Sequence, residues 1–467
     1  MPLFSTNFPA YTGPHDVGTI DVETPCEKRK LVDAVFAATG EPSFQLESVL
    51  FSLYYPTRNG VKSTKPNHFW VPKPMTLHGE GYARFANINN TLATNVFTLA
   101  LWTLVGSTTI PAKVDVPLHG TVKSHEGEAS HDQVDDHRLP RFPVMVFSHG
   151  MASSRTDYTH YCGELASRGY VVASIEHRDG SCPASVIMSN GSSKTLFHFG
   201  EGALDPKPET SDFKKMQLAM RQAEVEETVR VLRLINGGMG SEVFRANARE
   251  EGLGLQDWRD RLDTDQMIIG GHSYGATLAL QALKGAPCPA RPFAGAIILD
   301  PGKNSGPLND DVKVPTLIVH SNSWSAKLSL FQGRPHFDVV KDLALKIINE
   351  SKKFAWFMTA QGTTHPSVTD APLIEPFLLS WTTGATIAVR DGVAQYVRVS
   401  HEFFQFLKNG HRRGILGEDV THPEYDVDRR DQERKDRMNN EIAKHWQIHV
   451  SPTALYPSPS LSSDEIE

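Results

Sequence analysis

The chain contains one stretch whose residue types and spacing suit nucleophilic chemistry, Gly271-His272-Ser273-Tyr274-Gly275. A Gly-x-Ser-x-Gly turn between a buried strand and a helix lifts a serine hydroxyl above a sheet. The glycines leave out side chains that would collide there. The apolar run Met267-Ile268-Ile269 precedes it, and the small-residue pattern Ala276-Thr277-Leu278-Ala279-Leu280 follows. A serine hydroxyl is a weak nucleophile until a base takes its proton, and that base needs an orienting acid.

In a parallel α/β sheet such partners gather beyond the carboxyl ends of the strands. Asp300 directly follows the apolar run 296–299. His365 follows the strand run 354–357 in the loop Gly362-Thr363-Thr364-His365-Pro366. The order Ser273, Asp300, His365 is that of α/β-hydrolases. Asp338 and Asp370 are alternative orienting acids, and His320 ends a strand of its own. Two backbone N–H groups must also face the carbonyl oxygen as it becomes negative. Tyr274 follows the nucleophile, and Met151 lies in the loop after the strand run 143–147. His272 reads as a local packing residue. His177, between Glu176 and Arg178, reads as part of a buried polar network under the site.

The elements around these residues form a regular alternation from residue 142 onward. Apolar strand runs at 143–147, 170–175, 267–269, 296–299, 316–319 and 354–357 alternate with helical patterns. Among the latter are 156–168, 338–350 and a long helix over 213–235, with Val225, Val229 and Leu232 inward and Glu224, Glu226 and Glu227 outward. The expected fold is α/β, with a mostly parallel central sheet covered by helices on both faces. Residues 1–410 read as one domain carrying a polar surface insertion at 121–141. Residues 411–467 read as a charged extension, with a surface helix and then a disordered tail rich in Ser and Pro. His125, His131 and His137 lie among aspartates in the insertion, but no ligand spacing supports a metal site there.

Composition excludes other classes. Across 467 residues, 22% are charged and the net charge is −7, without a basic block, so no nucleic-acid partner is expected. The four cysteines are scattered and read as reduced thiols. The first residues show no cationic and apolar leader, so a cytoplasmic protein is expected. No cofactor or metal is required by the proposed chemistry. The stretch 92–105 has helical spacing and an apolar run too short to span a bilayer. It reads either as a core or cap helix or as an interfacial face, for which Trp102 is the most suggestive residue.

Several longer pieces carry a family resemblance. They are Val146-Phe147-Ser148-His149-Gly150-Met151, Leu165-Ala166-Ser167-Arg168-Gly169-Tyr170, Glu176-His177-Arg178-Asp179-Gly180-Ser181 and the Ser273 turn itself. Together the chain resembles the platelet-activating-factor acetylhydrolases of the α/β-hydrolase type, as a fungal relative. That resemblance implies a calcium-independent serine esterase removing acetyl, short or oxidised acyl groups from the sn-2 position of phospholipids. Ser273, Asp300 and His365 would be its triad, and Met151 and Tyr274 its oxyanion donors. It also implies peripheral contact with a membrane surface through apolar segments, here Leu101 and Trp102 on one and Phe377 and Trp381 on the other. The chain departs from the family's better-known members at Ala276 and at Pro301-Gly302-Lys303. A general carboxylesterase or lipase, and a non-catalytic binding protein of the same fold, are the competing expectations. Oligomeric state is not legible.

Overall fold

The computed structural model describes residues 7–452 except 89, 121–138, 190, 327–329, 332, 377–383 and 426–439. Ten strands form one sheet: β1 (Asp16–Lys30), β2 (Gln45–Thr57), β3 (Lys113–Val114), β4 (Phe142–Ser148), β5 (Val171–Ile175), β6 (Leu262–His272), β7 (Phe293–Leu299), β8 (Thr316–Ser321), β9 (Ala355–Ala360) and β10 (Trp446–Val450). Their spatial order is β10-β9-β8-β7-β6-β4-β5-β2-β1-β3. The six strands from β9 to β5 run parallel to one another. β2 and β10 join them antiparallel on the two sides.

Consecutive residues of each central strand enter opposite cores, as period-two alternation requires. Val144, Val146, Ile269, Ile298, Ile318 and Phe357 pack on one face, beneath α4 (Thr210–Leu234), α5 (Tyr274–Ala282) and α6 (His336–Asn349). Met145, Phe147, Ile268, Ile297, Leu317 and Trp356 pack on the other, beneath α3 (Thr159–Ala166) and α7 (Val389–Asn409). Helices on both faces of a mostly parallel sheet are the α/β-hydrolase arrangement expected above. Two further helices, α1 (Met75–Phe85) and α2 (Thr91–Val105), pack on each other beside it.

Three expectations change. α3 is shorter than the predicted 156–168. Its first turn begins at Thr159, where the buried Asp370 carboxylate accepts the N–H and hydroxyl of Thr159 and the N–H of His160 at 2.7, 2.7 and 2.9 Å. That satisfies orphan donors of the helix start. Glu224 does not face solvent but is buried. The segment beyond residue 410 is not merely a surface extension, because Trp446–Val450 is an edge strand of the main sheet with all five residues buried. The charged run at 428–437, the last fifteen residues and the three insertion histidines lie outside the described residues.

Candidate active site

Ser273 sits between β6 and α5 with φ 57° and ψ −120°. A left-handed backbone at a non-glycine residue stores strain, and the surrounding contacts hold it there. A Cβ at Gly271 would stand 2.2 Å from the Gly275 carbonyl oxygen, and one at Gly275 would stand 2.0 Å from that of Ser148. Only glycine permits this crossing of β4, β6 and α5. The Ser273 N–H donates to the Leu299 carbonyl at 2.9 Å, tying the turn to the end of β7.

Asp300 and His365 converge on that turn. His365 Nε2 lies 3.1 Å from Ser273 Oγ, and its Nδ1 lies 2.9 Å from Asp300 Oδ2. The Asp300 carboxylate is buried, while the His365 side chain retains 29% exposure. Asp370, one alternative acid, is committed to α3, and no contact joins Asp338 to His365 among the described residues. His320 lies buried behind the site, with its Nδ1 on Ser325 Oγ at 3.2 Å.

A segment that sequence reading overlooked holds the acid and the base. Ser321 at the end of β8 donates its N–H to Asp300 Oδ1 at 2.6 Å and its hydroxyl to Oδ2 at 2.7 Å. Ser323 Oγ accepts the N–H of His365 at 3.0 Å. The Trp324 indole stacks on the His365 ring with centroids 3.9 Å apart and planes 11° apart, and its Nε1 donates to the Pro301 carbonyl at 3.0 Å. Ser321 follows His320 at the carboxyl end of β8, on the same sheet edge that holds Asp300.

His272 packs 4.5 Å from the other side of His365, and its Nδ1 bonds the Tyr158 hydroxyl at 2.8 Å. Burial and the neighbouring His365 hold it well below the usual histidine range. Among the described residues, His272, Asp300 and His365 alone bring metal-type donor atoms within 4.8 Å of one another. A cation held by all three would compete with the Asp300–His365 hydrogen bond.

Met151 and Tyr274 lie where β4 and the start of α5 meet. Their N–H groups have no protein acceptor among the described residues. A helix start with unpaired N–H groups favours negative charge. Beneath them runs a buried polar network. His177 bonds Glu224 at 2.6 Å and Ser148 Oγ at 2.7 Å. Arg221 pairs with Asp179 at 2.7 Å. The expected network at Glu176, His177 and Arg178 is present, and it recruits Glu224 and Arg221 from α4.

The apolar-surface expectation divides. On α2, Leu92, Val96, Leu99 and Trp102 are 76%, 58%, 61% and 66% exposed and recur at helical spacing. Leu101 does not belong to that face: it is half-buried against the core under α3, because it falls on the opposite side of the helix. Phe377 and Trp381 lie outside the described residues. No described helix is long and apolar enough to cross a membrane.

Comparison with known proteins agrees with this architecture. A solved ferulic acid esterase from Streptomyces cinnamoneus superposes with a TM-score of 0.51 at 18% identity, covering 86% of this chain and 92% of that one. The platelet-activating factor acetylhydrolase of Cavia porcellus is 27% identical over 326 residues, which are 68% of this chain and 61% of that protein. The Gallus gallus protein of the same name is 25% identical, across 78% of this chain and 74% of its own length. A putative phospholipase A2 of Schizosaccharomyces pombe is 24% identical, across 60% and 70%. Residues 3–430 match the profile of the family described as platelet-activating factor acetylhydrolase, isoform II. With that match spanning most of its length, the chain belongs to the platelet-activating factor acetylhydrolase isoform II family.

Proposed function

We propose that the protein is a serine esterase that hydrolyses the sn-2 acetyl or short acyl ester of phospholipids through an acyl-enzyme. The observation that carries this reading is the unbroken chain of hydrogen bonds from Ser273 Oγ through His365 to Asp300. Ser273 Oγ attacks the ester carbonyl, and His365 Nε2 takes its proton while Asp300 holds Nδ1–H. The N–H groups of Met151 and Tyr274 receive the developing oxyanion. As the tetrahedral intermediate collapses, His365 returns the proton to the sn-2 oxygen, and lyso-phospholipid leaves. Water then gives its proton to His365 and attacks the acyl-enzyme, releasing the acid and restoring Ser273.

The reading includes independence from calcium, which the family resemblance implies. The phospholipid part rests on family membership and on the names of the relatives. The exposed face of α2, formed by Leu92, Val96, Leu99 and Trp102, supplies a surface that would rest on a lipid interface. Hydrolysis of a 2-acetyl phosphocholine, a long-chain phosphocholine and a simple acetate ester, with EDTA present, tests the proposal. Preference for the acetyl phospholipid is expected, together with covalent fluorophosphonate labelling that Ser273→Ala abolishes. Wild-type turnover by Ser273→Ala would end the reading, and equal rates on all three esters would reduce it to a general carboxylesterase.

A further inference from the structure

The loop after β4 pins its successive peptide planes in an uneven way. The His149–Gly150 plane is held at both ends. Arg221 Nη1 donates to the His149 carbonyl at 2.7 Å, and the Gly150 N–H donates to the Tyr158 hydroxyl at 3.2 Å. The Ala152 N–H donates to the Ser181 carbonyl at 2.9 Å. Between them, the Gly150–Met151 plane is held at its carbonyl alone, by His149 Nδ1 at 2.8 Å. In a trans peptide the carbonyl and the N–H point in opposite directions, so holding the one aims the other.

His149 can act this way in one tautomer only. Its Nδ1 faces a carbonyl oxygen, which accepts, so Nδ1 must carry the proton. Its Nε2 receives the backbone N–H of His177 at 3.1 Å, so Nε2 must carry none. A ring nitrogen's protonation is set by the bond its partner nitrogen makes. The His149 side chain is wholly buried. Burial, and then the Arg221 charge, lower its pKa to about 4, so the ring is neutral near pH 7.

We propose that His149 is a positioning residue for ester hydrolysis: its Nδ1–H, locked by the His177 N–H, orients the Gly150–Met151 peptide so that the Met151 N–H faces the oxyanion. This rests on the reading of Ser273 as nucleophile. His149 does not touch substrate; it acts through the peptide it holds. The residue also accounts for the single N–H left open between two that are tied.

The test separates aiming of the donor from general support of the fold. His149→Asn places an amide nitrogen near the position of Nδ1 and keeps a donor for the Gly150 carbonyl. His149→Gln carries its amide out toward Nε2 and loses that donor. Both full-length variants would be assayed with p-nitrophenyl acetate and with its thionoacetate counterpart, whose sulfur accepts hydrogen bonds poorly. Thermal melts and fluorophosphonate titration would count the folded sites. Expected for His149→Gln is a kcat loss on the order of 100-fold with the oxo-ester and a KM changed little. Its loss with the thiono-ester should be much smaller, so the oxo-to-thiono rate ratio falls. His149→Asn should keep that ratio near the wild-type value.

Equal losses on both esters in His149→Gln, or a collapsed ratio in folded His149→Asn, would overturn the proposal. If His149→Gln does not fold, the ratio in His149→Asn decides alone. Ser273→Ala measured in parallel distinguishes the two failures. A still-active Ser273→Ala removes the nucleophile on which the inference rests and overturns it from that side. An inactive Ser273→Ala with an unchanged ratio in His149→Gln overturns the role of His149 alone.

Discussion

Replacing Asp300 by asparagine tests the proposed division of labour between acid and base, because the carboxylate's neighbours dictate how an amide must sit. Ser321 N–H points at Oδ1 from 2.6 Å and needs an acceptor, so the amide oxygen takes that side. The amide nitrogen then takes the place of Oδ2, between the Ser321 hydroxyl at 2.7 Å and His365 Nδ1 at 2.9 Å. A hydroxyl can turn and accept from it. The imidazole can accept only by moving its proton to Nε2, the nitrogen 3.1 Å from Ser273 Oγ. The base then presents a proton where it should take one. Shape and volume barely change, so folding should survive. An amide in place of the orienting carboxylate costs a serine hydrolase on the order of 10,000-fold in kcat. At 1.36 kcal/mol per decade that is about 5.5 kcal/mol of transition-state stabilisation. Steady-state hydrolysis of p-nitrophenyl acetate, normalised to folded protein by its thermal melt, measures it. A kcat within tenfold of wild type would show that the 2.9 Å contact does not set the tautomer, and the assigned roles would fail with it.

Trp324→Ala removes the ring stacked on His365. An aromatic pair is worth about 0.5–1.5 kcal/mol, so kcat should drop roughly two- to tenfold, with Trp324→Phe closer to wild type in the same ester assay. Arg221→Met leaves the buried Asp179 carboxylate without its charge partner. Burial alone would raise that carboxyl's pKa, and the guanidinium and the Ser181 contacts hold it below the usual range. Breaking a buried pair costs about 3–5 kcal/mol, and urea denaturation of Arg221→Met should show it; the double variant Arg221→Met with Asp179→Leu should lose less. Burial lowers the His449 pKa to about 3, from the ordinary 6.5. Between those values the unfolded chain binds the extra proton, so this contribution is full above pH 6.5 and is lost as pH falls toward 3. Urea midpoints at pH 7 and pH 5 should therefore differ less in His449→Gln than in wild type.

The residues that sequence reading singled out share one property: each lies within a few residues of the carboxyl end of an apolar strand run. Asp300, Met151 and Ser273 could be placed because a parallel sheet delivers every such position to the same edge, and the structure brings His365 there as well. Ser321 and Trp324 obey the same rule and were passed over because serine and tryptophan after a strand do not announce a role. Glu224 was assigned to solvent because a charged residue on a helix is usually solvated. Here it accepts from Arg178 N–H at 2.8 Å and bonds His177, partners 46 and 47 residues away. Helical periodicity describes one element at a time and cannot register such a partner.

The last strand shows the same limit, with a consequence for the site. Trp446-Gln447-Ile448-His449-Val450 alternates polar with apolar residues after a highly charged run, which suits a surface segment. Yet Gln447 and His449 are buried. His449 Nε2 bonds the Thr359 hydroxyl at 2.7 Å, and its Nδ1–H donates to the His422 carbonyl at 2.6 Å. β10 thus covers the otherwise open edge of β9, and the His445 carbonyl accepts the Gln361 N–H at 2.7 Å just where the His365 loop departs. An uncovered edge strand leaves a row of unpaired backbone groups, and a loop springing from it has a poorly held root. A base that must stay within about 3 Å of its serine needs that root fixed, so His445 and β10 serve the geometry of His365 from outside the site.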